Sequence, residues 1–189
     1  GDLDIFFGGT YEDGFGINNG YGQFDWVRSY EVIKNYKVEN SIDGDHGKYG
    51  AWTSEMTDIN SDGYIDIILA GQYETNSTNV LNGITVIYGS ESGYDYNERT
   101  VLPTNTSVDV THDLSIVDVN KDGKKDLIAL SGQNGSTLIN YIEQTDNGFE
   151  SKDVIIIGDQ VKGITWIVVR DIDNDGFVEI TEQESSIFQ

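Results

Sequence analysis

The chain has no cysteine, one proline and two histidines among 189 residues. Without cysteine there is no disulfide, no thiol nucleophile and no thiolate zinc site. Bases are scarce as well: 11 Lys and Arg stand against 33 Asp and Glu, a net charge of −22. Such a surface repels phosphate, which argues against nucleic acid partners and against anionic membrane surfaces. No apolar run approaches the ~20 residues that span a bilayer, so no membrane insertion is expected. No secretory leader is visible, and an exported form would have lost it. Nucleophile elbow, phosphate-binding loop, dinucleotide fingerprint and zinc motif are all missing. No carboxylate pair for glycoside hydrolysis stands out among so many acids, so no catalytic residue is nominated.

What is present points to a folded, strand-rich chain. Hydrophobic residues make up 37% and aromatics 11%, too much for a solvated acidic tail. The length suits one domain, residues 1–189. Eleven tyrosines and 22 glycines against the single proline suit short strands joined by tight turns.

Three segments of the chain repeat one another. The first contains Asp58, Asn60, Asp62, Gly63 and Asp66; the second Asp118, Asn120, Asp122, Gly123 and Asp126; the third Asp171, Asp173, Asp175, Gly176 and Glu179. Their glycines lie 60 and then 53 residues apart. Gly1 and Asp4 fall on the last glycine and acid of a fourth copy. The approximate repeats are 1–62, 63–122 and 123–176, with 177–189 opening a further strand. Each acidic segment sits between apolar runs, such as Ile164 to Val169 before the third, Ile65 to Ala70 after the first and Leu127 to Leu130 after the second. Their length and β-branched content read as buried strands. Ile84 to Tyr88 adds another, closed by a turn through Gly89 to Gly93. Four strands in ~50–60 residues is the size of a propeller blade.

The acidic segments have the chemistry of a calcium loop. Calcium takes six to eight oxygens at about 2.3–2.6 Å and tolerates irregular geometry, whereas magnesium demands a strict octahedron. Side-chain oxygens at positions 1, 3 and 5 curl towards one point, glycine at position 6 allows the sharp turn, the position 7 carbonyl faces inward and the acid at position 9 closes the cage. The expected ligands are Asp58, Asn60, Asp62, the Tyr64 carbonyl and Asp66; Asp118, Asn120, Asp122, the Lys124 carbonyl and Asp126; and Asp171, Asp173, Asp175, the Phe177 carbonyl and Glu179. One such segment could be an ordinary turn. Three in register favour about three Ca2+ sites, because clustered carboxylates without a cation oppose folding at neutral pH. Closure at position 9, with strands following, departs from the EF-hand pattern, which closes at position 12 between helices.

With these loops and their flanks, the chain resembles the FG-GAP/VCBS repeat family. Phe7-Gly8-Gly9 and Tyr88-Gly89-Ser90 match the neighbourhood of the family's Phe-Gly position. The resemblance implies an all-β fold of β-propeller blades, each carrying calcium in the turn between its first two strands. Propellers close with four to eight blades, whereas about three repeat lengths are present here. Either the remainder of a longer chain or self-association is therefore expected to complete the ring.

Two readings of function stay open. One is a noncatalytic module recognising a glycan or a protein; the other is part of a carbohydrate-active enzyme such as a polysaccharide lyase. The calcium concentrations that extracellular modules use place either outside the cytosol: secreted, at the cell surface or periplasmic. Trp52 and His112 occupy equivalent repeat positions, with Trp166 beside the third equivalent, Thr165, and these three are the candidates for a ligand-binding surface. The blander reading places the tryptophans between blades and leaves His112 solvated. His46 reads as an exposed loop residue.

Overall fold

The computed structural model describes residues 4–7, 14–35, 53–70, 84–103, 110–133, 136–157 and 164–184. Gly1, Gly8, Gly9, His46 and Trp52 lie outside the described residues. The described chain is almost entirely β, in antiparallel sheets with one short parallel pair. Backbone proximity divides it into two compact units, Gly1–Leu81 with Thr85–Val101, and Asn82–Ile84 with Leu102–Gln189.

The first unit holds two larger sheets and the short parallel pair. Strands β1 (Ile5–Phe7), β2 (Gly14–Asn18) and β3 (Phe24–Arg28) form a three-stranded meander. A single helical turn α1 (Ser29–Val32) leads into β4 (Ile33–Lys34). Strands β5 (Thr53–Thr57), β6 (Asp66–Ala70), β7 (Thr85–Ile87) and β9 (Thr100–Val101) form a four-stranded sheet in the order 5-6-7-9. Strand β8 (Tyr94–Asp95) runs parallel to β4, and Asn35 fastens the pair by donating to the Asp95 carboxylate at 2.9 Å. Phe15, Ile33, Ile67, Leu69, Ile87 and Tyr96 make the core, with Phe6, Ile17 and Met56 packed against it. Every residue of β6 is buried, so this strand is covered on both faces and reads in sequence as a continuous apolar run.

The other face of the β1–β3 meander shows why β2 alternates glycine with large apolar residues. Phe15 and Ile17 point to the core, while the Trp26 ring lies across Gly14, where a Cβ would overlap it, and Phe7 and Phe24 flank Gly16. The aromatic rings replace the side chains that the glycines lack.

The second unit repeats the four-stranded design. Strands β10 (Val110–Val117), β11 (Asp126–Gln133), β12 (Ser136–Thr145) and β13 (Gly148–Ile157) pair in sequence order. The β12–β13 hairpin turns through Asp146 and Asn147 into Gly148, whose φ of 109° suits only glycine. Strands β14 (Ile164–Arg170) and β15 (Glu179–Glu184) form a two-stranded ladder. Ile128, Leu130, Ile139 and Ile167 form the core between β14 and the β10–β13 sheet. The Ile167 amide also donates to Asp113 of β10 at 2.7 Å. These four-stranded antiparallel sheets are blades of the expected type. Each sheet begins one strand before its acidic loop, so sheet and loop-to-loop repeat are offset by one strand.

Candidate functional site

The three acidic loops occupy the β5–β6, β10–β11 and β14–β15 turns, the connection between the first two strands of each sheet. All three share one hydrogen-bond pattern. In the first, the Asp62 amide donates to Asp58 Oδ1 and to Asn60 Oδ1, both at 3.1 Å, and Gly63 donates to Asp58 Oδ2 at 2.9 Å. The Tyr64 amide donates to Asp62 Oδ1 at 2.8 Å. The same four bonds recur around Asp118, Asn120 and Asp122, and around Asp171, Asp173 and Asp175. Such bonds from nearby amides to short polar side chains are what bend a chain into a tight loop. Glycine at position 6 takes φ of 91°, 88° and 88° at Gly63, Gly123 and Gly176.

Position 9 has a separate task. Asp66 is fully buried and accepts Ile59 N–H at 2.9 Å and Gly89 N–H at 2.8 Å. It thereby joins the loop to the end of the third strand. Asp126 does the same with Val119 N–H at 3.0 Å and Gln144 N–H at 2.9 Å. Glu179 accepts Ile172 N–H at 2.7 Å. Asp4, on the acid position of the incomplete fourth copy, accepts the Asn18 amide at 2.9 Å as Asp66 accepts that of Gly89. Burial holds the Asp66 carboxyl above the ordinary carboxylate range, against the pull of its two amide donors. Tyr141 donates to Asp126 at 3.2 Å, and burial together with the Asp126 charge keeps its hydroxyl protonated.

Hydrogen bonding accounts for some of this negative charge and not for the rest. Positions 1 and 9 of the first two loops use both carboxylate oxygens, which an amide side chain could not do. At position 5 only one oxygen accepts a backbone amide of the turn, a task asparagine could perform equally well. The chain nevertheless carries aspartate there in all three loops, as Asp62, Asp122 and Asp175. The second oxygen of Asp62 takes the side-chain amide of Asn60 at 2.9 Å, a neutral donor that leaves the charge in place. Asp173 likewise binds its turn through one oxygen, where the other loops manage with Asn60 and Asn120. The third loop gathers the densest charge, with oxygens of Asp171, Asp173 and Glu179 all within 4.8 Å of one another. Every side-chain acceptor offered at positions 1, 3, 5 and 9 is a hard oxygen, the set that suits calcium.

Two features escape the sequence pattern. Position 4 is left-handed in every loop, with φ of 62° at Ser61, Lys121 and Asn174. Asparagine there is a visible sign; serine and lysine are not. Gly89 has its amide on Asp66, and a Cβ on it would overlap the Ile65 carbonyl oxygen. Lys124 adds a local counter-charge, bonding Asp146 at 2.8 Å and standing 3.7 Å from Asp122. Its ammonium pKa is raised first by the Asp146 bond.

Of the ligand-surface candidates, His112 and Trp166 sit on β10 and β14, ahead of the acidic turns in sequence. His112 is half-buried at a bulge of β10, between Thr111 and Asp113, and burial lowers its pKa. The equivalent bulge in β14 falls at Thr165, which supports the repeat alignment. Trp166 beside it is 44% exposed, and Trp52 lies outside the described residues.

Fold and loops together define an all-β repeat protein with an oxygen-rich loop between the first two strands of three of its sheets. Residues 118–181, from the first acid of the second loop to just past Glu179, match the family described as FG-GAP-like repeat. This segment is an FG-GAP-like repeat, in agreement with the resemblance carried by the sequence. No curated protein matches the chain.

Proposed function

We propose that the chain is a calcium-binding repeat module that works outside the cytosol and recognises a glycan or a protein. The observation that carries the calcium reading is the surplus charge at position 5. Asp62, Asp122 and Asp175 each spend one oxygen on the backbone of the turn and carry a negative charge that the turn does not require, which Lys124 at 3.7 Å offsets in part at Asp122. Asp58, Asn60, Asp62 and Asp66 would hold the first ion, Asp118, Asn120, Asp122 and Asp126 the second, and Asp171, Asp173, Asp175 and Glu179 the third. The carbonyls of Tyr64, Lys124 and Phe177 would complete the sets. The bound ion supplies positive charge and no reaction. The chain's part is to hold the oxygens together and to tie each loop to its sheet through position 9.

Thermal unfolding in EDTA, in millimolar calcium and in millimolar magnesium tests this reading. A calcium-selective rise in melting temperature is expected; at ~100 times the dissociation constant each independent site adds about 2.7 kcal/mol. No shift would reduce the loops to turns.

The recognition reading rests on Trp166, a large aromatic side chain left half in solvent on β14. A glycan array is its test, and binding unchanged by Trp166→Ala would remove this surface from consideration. Further blades, from a longer chain or from other copies, would extend the same face.

A further inference from the structure

The third loop, residues 171–179, carries four acids and no base of its own, while the second carries Lys121, Lys124 and Lys125. One of these lysines does not serve the loop that bears it. Lys121, at the left-handed position 4 of the second loop, reaches across to the third. Its ammonium stands 3.7 Å from the centre of the Phe177 ring, in cation–π contact. It also sits 2.8 Å from where a Cβ would stand on Gly176. It therefore rests on positions 6 and 7 of a neighbouring loop that carries four acids in nine residues.

We propose that Lys121 is an affinity-setting residue of the third loop, delivered from the second: it stabilises the third loop while free of cation and weakens divalent cation binding there. The inference rests on the calcium reading above. Without a bound ion, Asp171, Asp173, Asp175 and Glu179 repel one another, and one ammonium at the turn offsets part of that repulsion. When a divalent cation enters, the same ammonium is a like charge close by, and its effect changes sign. The glycine at position 6 is what lets the lysine approach so closely, since any side chain there would occupy its place. The two loops are thereby linked, because the backbone that aims Lys121 belongs to the second loop's own turn.

The test uses the full chain with Asp62→Asn and Asp122→Asn, which preserve the single turn-forming oxygen at position 5 and weaken the first two loops. Calcium binding to the third loop is then followed by calorimetry with Lys121, Lys121→Met and Lys121→Arg. Methionine keeps most of the length and removes the charge; it is expected to tighten binding roughly three- to tenfold, the scale of one charge acting across a few ångströms of partly screened space. The same variant should melt at a lower temperature in EDTA, while arginine should match lysine in both measurements. A merely structural role would weaken calcium binding along with stability, the opposite sign for affinity, and would overturn the proposal, as would an unchanged dissociation constant. Absence of any calcium heat in all three proteins would overturn the calcium reading of this loop together with the inference built on it.

Discussion

At the scale of single residues, the position 9 acid is the joint of each loop. Asp66 satisfies two backbone amides in a fully buried place. Losing it strands both donors, at ~1–3 kcal/mol each. Asp66→Ala is therefore expected to lose about 2–4 kcal/mol in EDTA, measured by urea unfolding, even though no metal is involved. A loss confined to calcium-containing buffer would contradict the hydrogen-bond role. The sequence shows an acid at this position but not its second task, because Gly89 and Gln144, whose amides Asp66 and Asp126 accept, lie far along the chain. Asp4 shows the same point: in the sequence only Gly1 and Asp4 mark the fourth copy, and the bond from the Asn18 amide to Asp4 is visible only in the structure. The left-handed position 4 was hidden for a different reason. Ser61 and Lys121 have no intrinsic preference for that conformation, and the loop's hydrogen bonds impose it on them.

At the scale of elements, most strands legible in the sequence were those buried on both faces. Strand β14 was legible too, but Trp166 and Val168 are each 44% exposed, so it is a half-buried strand and not the buried one its apolar run suggests. Ile67, Ile68 and Leu69, or Leu127 and Ile128, form apolar runs because nothing polar is tolerated on either side. The β1–β3 meander was harder to read. Gly14 and Gly16 dilute its hydrophobic signal, and only the structure shows Trp26, Phe7 and Phe24 filling the gaps. The β12–β13 hairpin was not read from the sequence, because polar residues such as Glu143, Glu150 and Lys152 interrupt its apolar pattern. Gly89 marks the junction where the third strand of the first full blade leaves the loop. A methyl group there must displace the Ile65 backbone, which cannot swing aside as a side chain could. Gly89→Ala is expected to cost about 1–3 kcal/mol or more in chemical denaturation. A neutral result would mean that this strand end is free to shift and that the Asp66–Gly89 bond is dispensable.

Across the whole molecule, charge dominates. A net −22 on 189 residues makes the folded state repel itself. In EDTA, raising sodium chloride from ~10 mM to ~150 mM shortens the screening length from about 30 Å to about 8 Å. The melting temperature should therefore climb with monovalent salt. Calcium at matched ionic strength should add a further rise if the loops hold it, and a rise fully reproduced by sodium would assign the effect to screening alone. The overall acidity was legible at once, and its division among the loops was not, because that depends on where Lys121 and Lys124 place their ammonium groups. Each loop is bent by hydrogen bonds from its own amides. On the calcium reading proposed above, an entering ion would find that bend supported by the chain itself. Arrival should then be similarly fast at all three loops, and residence time should separate them. On the proposal made above, the loop that Lys121 leans upon would release an ion sooner than its four acids alone would dictate.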